Sequence, residues 1–258
     1  MSSVLLDIKD NIGFIVLNRP DRLNAFTREM ALLLQNRLDE CASLHEVRAV
    51  CLTGAGRAFS AGQDLSEVAD PDGPGMEKIL REHYNPIVTR IRNLPKPVVA
   101  AVGGVAAGAG ANIALCCDIV LASKSASFIQ AFSKIGLIPD SGGTWFLPRL
   151  VGWQKAAGIA MLGDKIGAVE AERLGMIYKV YEDDEFEGAS RALTAVLAQM
   201  PTRALAFTKH ALNYSAGNSL EAQLLLEDDL QQKAALTRDY AEGVRAFLEK
   251  RVPLFKGE

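Results

Sequence analysis

The alternation of short β-rich segments with helix-type patterns is the sequence feature that most restricts the fold. Val, Ile, Leu and Ala dominate these segments with little polar interruption, as in strands that are buried on both faces of a parallel sheet. Between them, apolar residues recur at helical spacing. The pattern predicts an α/β fold with a largely parallel, buried sheet. The predicted strands are residues 4–8, 12–17, 49–53, 98–102, 118–122 and 177–181.

Helices dominate the last third of the chain. Thr27 is placed to cap the first long helix, and Thr237 to cap the last. From about Pro201 the sequence predicts three helices in succession, because apolar residues recur at helical spacing in this part. With 258 residues, one main hydrophobic core is expected. We therefore predict a core at residues 1–200 and a helical region at 201–258 that packs on a partner subunit.

Charge and cysteine usage exclude several classes of protein. A net charge of −3 with scattered basic residues gives no reason to expect a nucleic-acid partner. The uncharged run at 98–117 is mostly Ala and Gly and contains Asn112, so we expect no membrane span. The N-terminus lacks a secretory pattern, and the four cysteines form no disulfide framework. The predicted location is cytoplasmic.

A glycine-rich turn and one downstream carboxylate together suggest enolate chemistry. Glycine lacks the Cβ that keeps main-chain N–H groups away from a ligand, so residues 103–111 can direct amides at an incoming oxygen. Asp140 lies at a turn that enters a helix, where it can move protons. Asp is also a common helix N-cap, and this structural role is the alternative for Asp140.

A serine motif offers a rival enzyme class. Residues 58–62 differ by one residue from the nucleophile elbow Gly-x-Ser-x-Gly. Ser60, then Asp118 or Asp140, then His210 would follow in the order of the hydrolase triad. Against this, His210 lies within a regular helical pattern, where a histidine with a structural role is the commoner outcome.

Several motifs resemble, in order and spacing, those of the enoyl-CoA hydratase/isomerase family, the crotonase superfamily. They are Ala-Phe-Ser-Ala-Gly-Gln-Asp-Leu at 58–65, Val-Gly-Gly-Val-Ala-Ala-Gly-Ala-Gly at 102–110, Cys-Asp-Ile at 117–119 and Leu-Ile-Pro-Asp-Ser-Gly-Gly at 137–143. The match runs essentially from end to end. The resemblance implies a ββα spiral core, a C-terminal helical trimerisation region, and a homotrimer or homohexamer. It also implies an acyl-CoA thioester ligand, with no metal and no cofactor other than the coenzyme A of the substrate.

The resemblance assigns roles to individual residues. The thioester oxygen would be held in an oxyanion hole by the backbone N–H groups of Ala61 and Ala109, and Asp140 would be the catalytic acid and base. Lys250 is expected to reach the CoA phosphates of the adjoining subunit. The other residues expected to bind CoA or substrate are Leu23, Ala25, Ala61, Gly62, Gln63, Asp64 and Leu65. The acyl pocket would contain Asn112, Phe132, Ile138 and Trp145. A helix start at Asp140 would lower its pKa, and the apolar wall would raise it.

Departures from the hydratase pattern narrow the reaction. Hydratases of the family use two glutamates, whose positions hold Asn112 and Phe132 in this chain. Water addition is therefore not expected, and Asp140 stands where several family isomerases carry their catalytic Asp. Residues 131–145 most resemble members that convert 2-(1,2-epoxy-1,2-dihydrophenyl)acetyl-CoA to oxepin-CoA in phenylacetate degradation, with a possible shift of a 3-enoyl-CoA double bond to position 2.

Three alternatives remain open at the level of sequence. The first is a fatty-acid Δ3,Δ2-enoyl-CoA isomerase, which would use the same residues on a linear chain. The second is a serine hydrolase that uses Ser60. The third is a crotonase-like protein that binds acyl-CoA or RNA without turnover.

Overall fold

The computed structural model describes residues 2–70 and 73–258, and in them two sheets are surrounded by helices. The larger sheet has six strands in the order β1 (Val4–Lys9), β2 (Ile12–Leu17), β3 (Ala49–Gly54), β5 (Val98–Val102), β7 (Ile119–Ser123) and β10 (Lys179–Tyr181). β1 and β2 form an antiparallel hairpin, and every other neighbouring pair in this sheet is parallel. The α/β prediction with a largely parallel sheet is confirmed.

A second, four-stranded sheet consists of segments that the sequence did not predict as strands. Its order is β4 (Ala58–Ser60), β6 (Val105–Ala107), β8 (Ser127–Ile129) and β9 (Lys165–Gly167). Each strand is only three residues long, so it is too short to show the apolar run of a buried strand. Their pairing comes from tertiary placement, since β3, β5 and β7 are each followed at once by a strand of the second sheet.

A helical segment follows each pair of consecutive strands. α1 (Arg28–Ser43) precedes β3, and Thr27 caps it by accepting a hydrogen bond from Met30 N, as predicted. The short helices α2 (Leu65–Ala69) and α3 (Gly75–Lys78), a π-helical turn at Ile79–Tyr84 and α4 (Asn85–Asn93) follow β4. α5 (Ala109–Leu115) follows β6. α6 (Gly143–Val151), α7 (Trp153–Leu162), α8 (Ala168–Arg173) and α9 (Phe186–Gln199) complete this part of the chain.

The last three helices are α10 (Thr202–Ser215), α11 (Leu220–Ala235) and α12 (Arg238–Leu248). Thr237 caps α12 by accepting from Tyr240 N. α10 is fastened to the larger sheet through Asp118, whose carboxylate pairs with Lys209 Nζ at 2.8 Å and with Arg92 Nη1 at 3.1 Å. Asp118 therefore has a structural role at the start of β7. In the described part of the chain, no helix has the length and apolarity that a membrane span requires.

Candidate active site

Two backbone turns, one after β4 and one before α5, meet at close range. Gly62 has a φ of +88°, and a Cβ there would lie 2.8 Å from Ala107 O and 3.4 Å from Ala109 N. Only glycine permits both this backbone conformation and this approach. Gly108, with a φ of +53°, turns the chain into α5. The residues around Gly62 therefore lie directly beside the first N–H groups of α5.

The structure changes one of the two predicted oxyanion donors. Ala61 N donates to Leu23 O at 2.9 Å, so this N–H is already occupied. Gly62 O accepts from Phe26 N at 2.7 Å, and Asp64 N donates to Phe26 O at 2.9 Å. Since successive main-chain groups of an extended segment point in alternating directions, the N–H of Gln63 points away from Phe26.

Gln63 and Ala109 thus present the N–H groups that a substrate oxygen can use. Gln63 N donates no hydrogen bond within the described residues, and both Gln63 and Ala109 line the same cavity. Ala109 is the first residue of α5, so its N–H has no acceptor inside the helix. The predicted donor Ala61 is not free to bind a substrate oxygen, because the Leu23 carbonyl accepts its N–H, a contact that the sequence could not show.

The cavity has a volume of about 490 Å³, which is within the range of small-molecule sites. Its described wall is mostly apolar. The polar side chains on that wall are Gln63, Tyr84, Lys134 and Asp140. The remaining lining residues are Ala61, Gly62, Leu65, Val68, Met76, Ile79, Gly108, Ala109, Ala131, Phe132, Ile135 and Leu137. A largely apolar acyl group with a few polar contacts fits such a wall.

Hydrogen bonds to its main-chain carbonyl hold Asp140 in place, and Asp140 lines the cavity. Its carbonyl oxygen accepts from Gly143 N and from Asn112 Nδ2, each at 2.8 Å. Ser141 has a φ of +51°, and Ser141 Oγ donates to Asp140 Oδ1 at 2.8 Å. Gly142, with no side-chain hydrogen bond, is the N-cap of α6. The alternative role of Asp140 as a helix cap is therefore wrong.

Burial is the main influence on the pKa of Asp140. It raises the pKa of this carboxyl from 3.8 to about 6, although the hydrogen bond from Ser141 acts in the opposite direction. No cation forms a salt bridge with Asp140 among the residues that the structure describes. A carboxyl with a pKa near neutral can both take and return a proton at physiological pH.

The four residues predicted for the acyl pocket have different positions. Phe132 lines the cavity. Asn112 is fully buried behind it, where Nδ2 donates to the Asp140 carbonyl and Oδ1 accepts from Gln130 Nε2 at 2.7 Å. Ile138 is 79% exposed, and Trp145 packs edge-on against Phe146 on the outer side of α6. Ile138 and Trp145 thus lie outside the cavity wall, Ile138 as an exposed residue of the 137–143 segment and Trp145 as a residue of α6.

Some of the residues predicted to bind CoA line the cavity, and others make hydrogen bonds elsewhere or are exposed. Gly62, Gln63 and Leu65 line the cavity, and Leu65 is exposed at its rim. Leu23 contributes its carbonyl to Ala61, and the carbonyl of Ala25 accepts from Arg19. Asp64 pairs with Arg19 at 3.0 Å and caps α2 through Ser66 N. Lys250 is exposed after the end of α12 and does not line this cavity.

The serine of the rival motif is sealed away from the cavity. Ser60 is completely buried, and its Oγ donates to Asn24 O at 2.8 Å while accepting from Gly62 N at 3.1 Å. His210 lies on α10 and packs its ring against Tyr214, with centroids 4.8 Å apart. It lines a separate groove beside Arg92. The described residues therefore assemble no triad around Ser60.

Known proteins resemble this chain over its whole length. The family model described as enoyl-CoA hydratase/isomerase matches residues 7–258. The 1,2-epoxyphenylacetyl-CoA isomerase of Escherichia coli (strain K12) is 46% identical over 261 residues, a match that covers 100% of each chain. A protein of Rhodobacter capsulatus named "Probable enoyl-CoA hydratase" is 47% identical, with 99% of this chain and 98% of that one covered. The crystal structure of an enoyl-CoA hydratase from Bacillus anthracis has a TM-score of 0.92 at 33% identity, covering 99% of this chain and 100% of the other.

Proposed function

Because the chain belongs to the enoyl-CoA hydratase/isomerase family and has its crotonase fold, we propose that it isomerises 2-(1,2-epoxy-1,2-dihydrophenyl)acetyl-CoA to oxepin-CoA. That it is an enzyme acting on acyl-CoA thioesters follows from the family. The epoxide is suggested by the 46% identical relative, and the choice of isomerisation over the other reactions of the family rests on one observation. Among the described residues of the cavity wall, Asp140 is the carboxylate, and it shares that wall with the N–H groups of Gln63 and Ala109.

The two N–H groups are proposed to bind the thioester oxygen. Charge develops on this oxygen when the Cα proton leaves, so donors held in place beforehand stabilise the enolate more than the ground state. Removing one such donor typically costs about 3–4 kcal/mol in the transition state. The donors belong to the main chain and need no cofactor. We propose that the reaction uses no cofactor other than the coenzyme A of the substrate.

Asp140 is proposed to carry the proton. The carbon–carbon bond shared by the epoxide and the six-membered ring breaks to give the seven-membered oxepin ring. The Asp140 carboxylate removes a proton from Cα, and the resulting acid returns it to the ring carbon at the other end of the enolate, so that a double bond joins Cα to the ring. The reaction gains and loses no atom, so a single acid–base group is sufficient. A pKa of about 6 keeps much of the group ionised at neutral pH while leaving it acidic enough to give the proton back.

Hydration is the less suitable reaction for this cavity, although several relatives carry a hydratase name. Adding water requires one group to activate the water and another to deliver a proton. The two positions that hold glutamates in the hydratases are occupied by the amide of Asn112 and the ring of Phe132. Asn112 is engaged with Asp140 and Gln130, so it is not placed to activate water.

A linear 3-enoyl-CoA is the second candidate substrate. Its double-bond shift uses the same enolate and the same single carboxylate, and the apolar wall of the cavity suits an alkyl chain. The distinction between ring and chain then depends on the fit of the acyl group. A methylene-sized difference in such a pocket is worth only about 1–3 kcal/mol, so we expect partial discrimination.

The test is a direct comparison of substrates with the purified protein. The epoxide thioester, a six-carbon 3-enoyl-CoA and a 2-enoyl-CoA for hydration are assayed side by side, with and without a metal chelator. We expect a higher kcat/KM for the epoxide than for the linear 3-enoyl-CoA, no hydration and no effect of the chelator. A ratio well below one would favour the fatty-acid isomerase. No turnover of any of these thioesters would favour a non-catalytic acyl-CoA-binding protein.

A further inference from the structure

Tyr84 is a completely buried phenol on the cavity wall, to which the proposed mechanism gives no role. It ends the π-helical turn at Ile79–Tyr84, and π-helical turns are rare and occur frequently at functional sites. Its hydroxyl donates to Gln63 Oε1 at 2.6 Å. Burial keeps the pKa of Tyr84 well above its usual value, so the phenol remains a donor. A buried hydroxyl thus points at the residue that presents the N–H group.

The direction of this hydrogen bond is fixed by its neighbours. Gln63 Nε2 donates to Glu67 Oε2 and to Asp64 O, each at 3.3 Å. Both Glu67 oxygens accept from Arg28 N at 3.0 Å. Because the Asp64 carbonyl and the Glu67 carboxylate, which takes the Arg28 N–H, are acceptors, the amide nitrogen of Gln63 faces them and its oxygen faces Tyr84. The Tyr84 proton is therefore committed to Gln63 and is not available to act on a substrate.

Tyr84 also supports the backbone of Gln63 through a second contact. Its ring packs edge-on against Phe26, with ring centroids 5.9 Å apart. The main chain of Phe26 binds Gly62 O and Asp64 N, the groups on either side of Gln63. The side chain of Gln63 and the strand partner of its backbone are thus both held by one residue.

Resting on the proposed function, we propose that Tyr84 is a positioning residue that aims the Gln63 N–H at the thioester oxygen. It acts through Gln63 and does not touch the reacting atoms. A change of hydrogen-bond angle weakens a donor steeply, so the loss of this support lowers the stabilisation of the enolate. The effect therefore falls on kcat for ring and linear substrates alike, and KM changes little.

The decisive measurement is the carbonyl stretch of bound phenylacetyl-CoA, a thioester that has no epoxide to rearrange. With ¹³C in the thioester carbonyl, difference infrared spectra report how strongly the donors polarise it. We expect a shift to lower wavenumber with the wild type and a clearly smaller shift with Tyr84→Phe. The expected loss in kcat is about three- to tenfold, the size of one hydrogen bond, with KM within about twofold.

Matched variants separate this role from a general loss of packing. Thr194→Val removes another buried hydroxyl, whose hydrogen bond to Ser190 O lies within α9, and should leave the carbonyl shift and kcat unchanged. Gln63→Leu removes the acceptor while keeping the N–H, and it substitutes for Tyr84→Phe if that variant fails to fold. The double variant should be no worse than either single one, because both remove the same hydrogen bond.

An unchanged carbonyl shift in Tyr84→Phe, or an equal loss in Thr194→Val, would overturn the proposal. The result is independent of the identity of the natural substrate. If the epoxide is not turned over, the infrared shift of phenylacetyl-CoA can still be read. If the wild type binds phenylacetyl-CoA without any shift, Gln63 and Ala109 are not oxyanion donors and the role of Tyr84 falls with them.

Discussion

Replacing Asp140 by Asn should abolish most turnover while stabilising the protein. The amide has nearly the same shape, and its oxygen can still accept the hydrogen bond from Ser141 Oγ, so the turn is kept. It cannot take up the Cα proton. General acid–base catalysis is typically worth about 10²–10⁴-fold, so turnover should fall at least about a hundredfold with acyl-CoA affinity nearly intact.

The gain in stability follows from the raised pKa of the carboxyl. Burial moves the pKa of Asp140 from 3.8 to about 6, which means that ionisation is harder in the folded chain than in the unfolded one. The wild type therefore loses stability as the pH rises through this window, and the neutral amide does not. At about 1.4 kcal/mol per pH unit, the difference reaches up to about 3 kcal/mol, or up to about 6 °C in Tm.

Two measurements test this reasoning together. Thermal unfolding of wild type and Asp140→Asn is followed between pH 4 and pH 8, where the variant's advantage should grow up to the folded-state pKa of about 6 and then remain constant. The wild-type kcat/KM should rise with pH and level off above about pH 6, since the base form is required. Equal Tm values at neutral pH would refute the account of a desolvated carboxylate. Near-normal turnover in the variant would refute the catalytic assignment.

Three further predictions concern other parts of the molecule. Ser60→Ala should keep most of the turnover, and mass spectrometry should detect no acyl-enzyme. A burst of CoA from the wild type that Ser60→Ala loses would favour the hydrolase. Asn112→Leu removes one of the two donors to the Asp140 carbonyl and leaves the buried Gln130 Nε2 without its acceptor, so unfolding experiments should show a loss of about 1–3 kcal/mol with a lower kcat, and an unaltered stability and kcat would contradict this role. The α12 face with Val244 and Phe247 is exposed in the single chain, so light scattering should show a homotrimer or homohexamer, and a fully active monomer would contradict that expectation.

The sequence predicted the larger sheet well, because its strands carry their own signal. Long runs of Val, Ile and Ala gave strands close to their observed positions, and Thr27 and Thr237 marked true helix starts. The second sheet escaped prediction, since three-residue strands such as Ala58–Ser60 have no periodicity. Strands β4, β6 and β8 form because each of them follows directly after a strand of the larger sheet, which brings it next to the strand with which it pairs.

In the candidate site, too, features with a local sequence signal were predicted, and features that depend on tertiary placement were not. Asp140 was predicted from its motif, and Phe132 does line the cavity, but the outward positions of Ile138 and Trp145 depend on the tertiary placement of their segments, which the sequence does not encode locally. Gln63 was expected only to bind CoA or substrate. Its free N–H became visible only when the structure showed which carbonyls occupy the neighbouring amides.

The close contact between Gly62 and Ala109 builds a site from main-chain groups alone. Stabilisation of the enolate is thereby kept apart from proton transfer, two functions that enzymes often combine. The groups that would stabilise the enolate are part of the main chain, whereas the group that moves the proton is a side chain on a different turn. Substitutions at 112, 132 or 140 can therefore add, remove or relocate an acid or base and leave the amide pair unaltered. With the proposed roles, one scaffold would acquire new thioester reactions by small steps, and protein engineers would redesign the proton chemistry around an unchanged pair of amides.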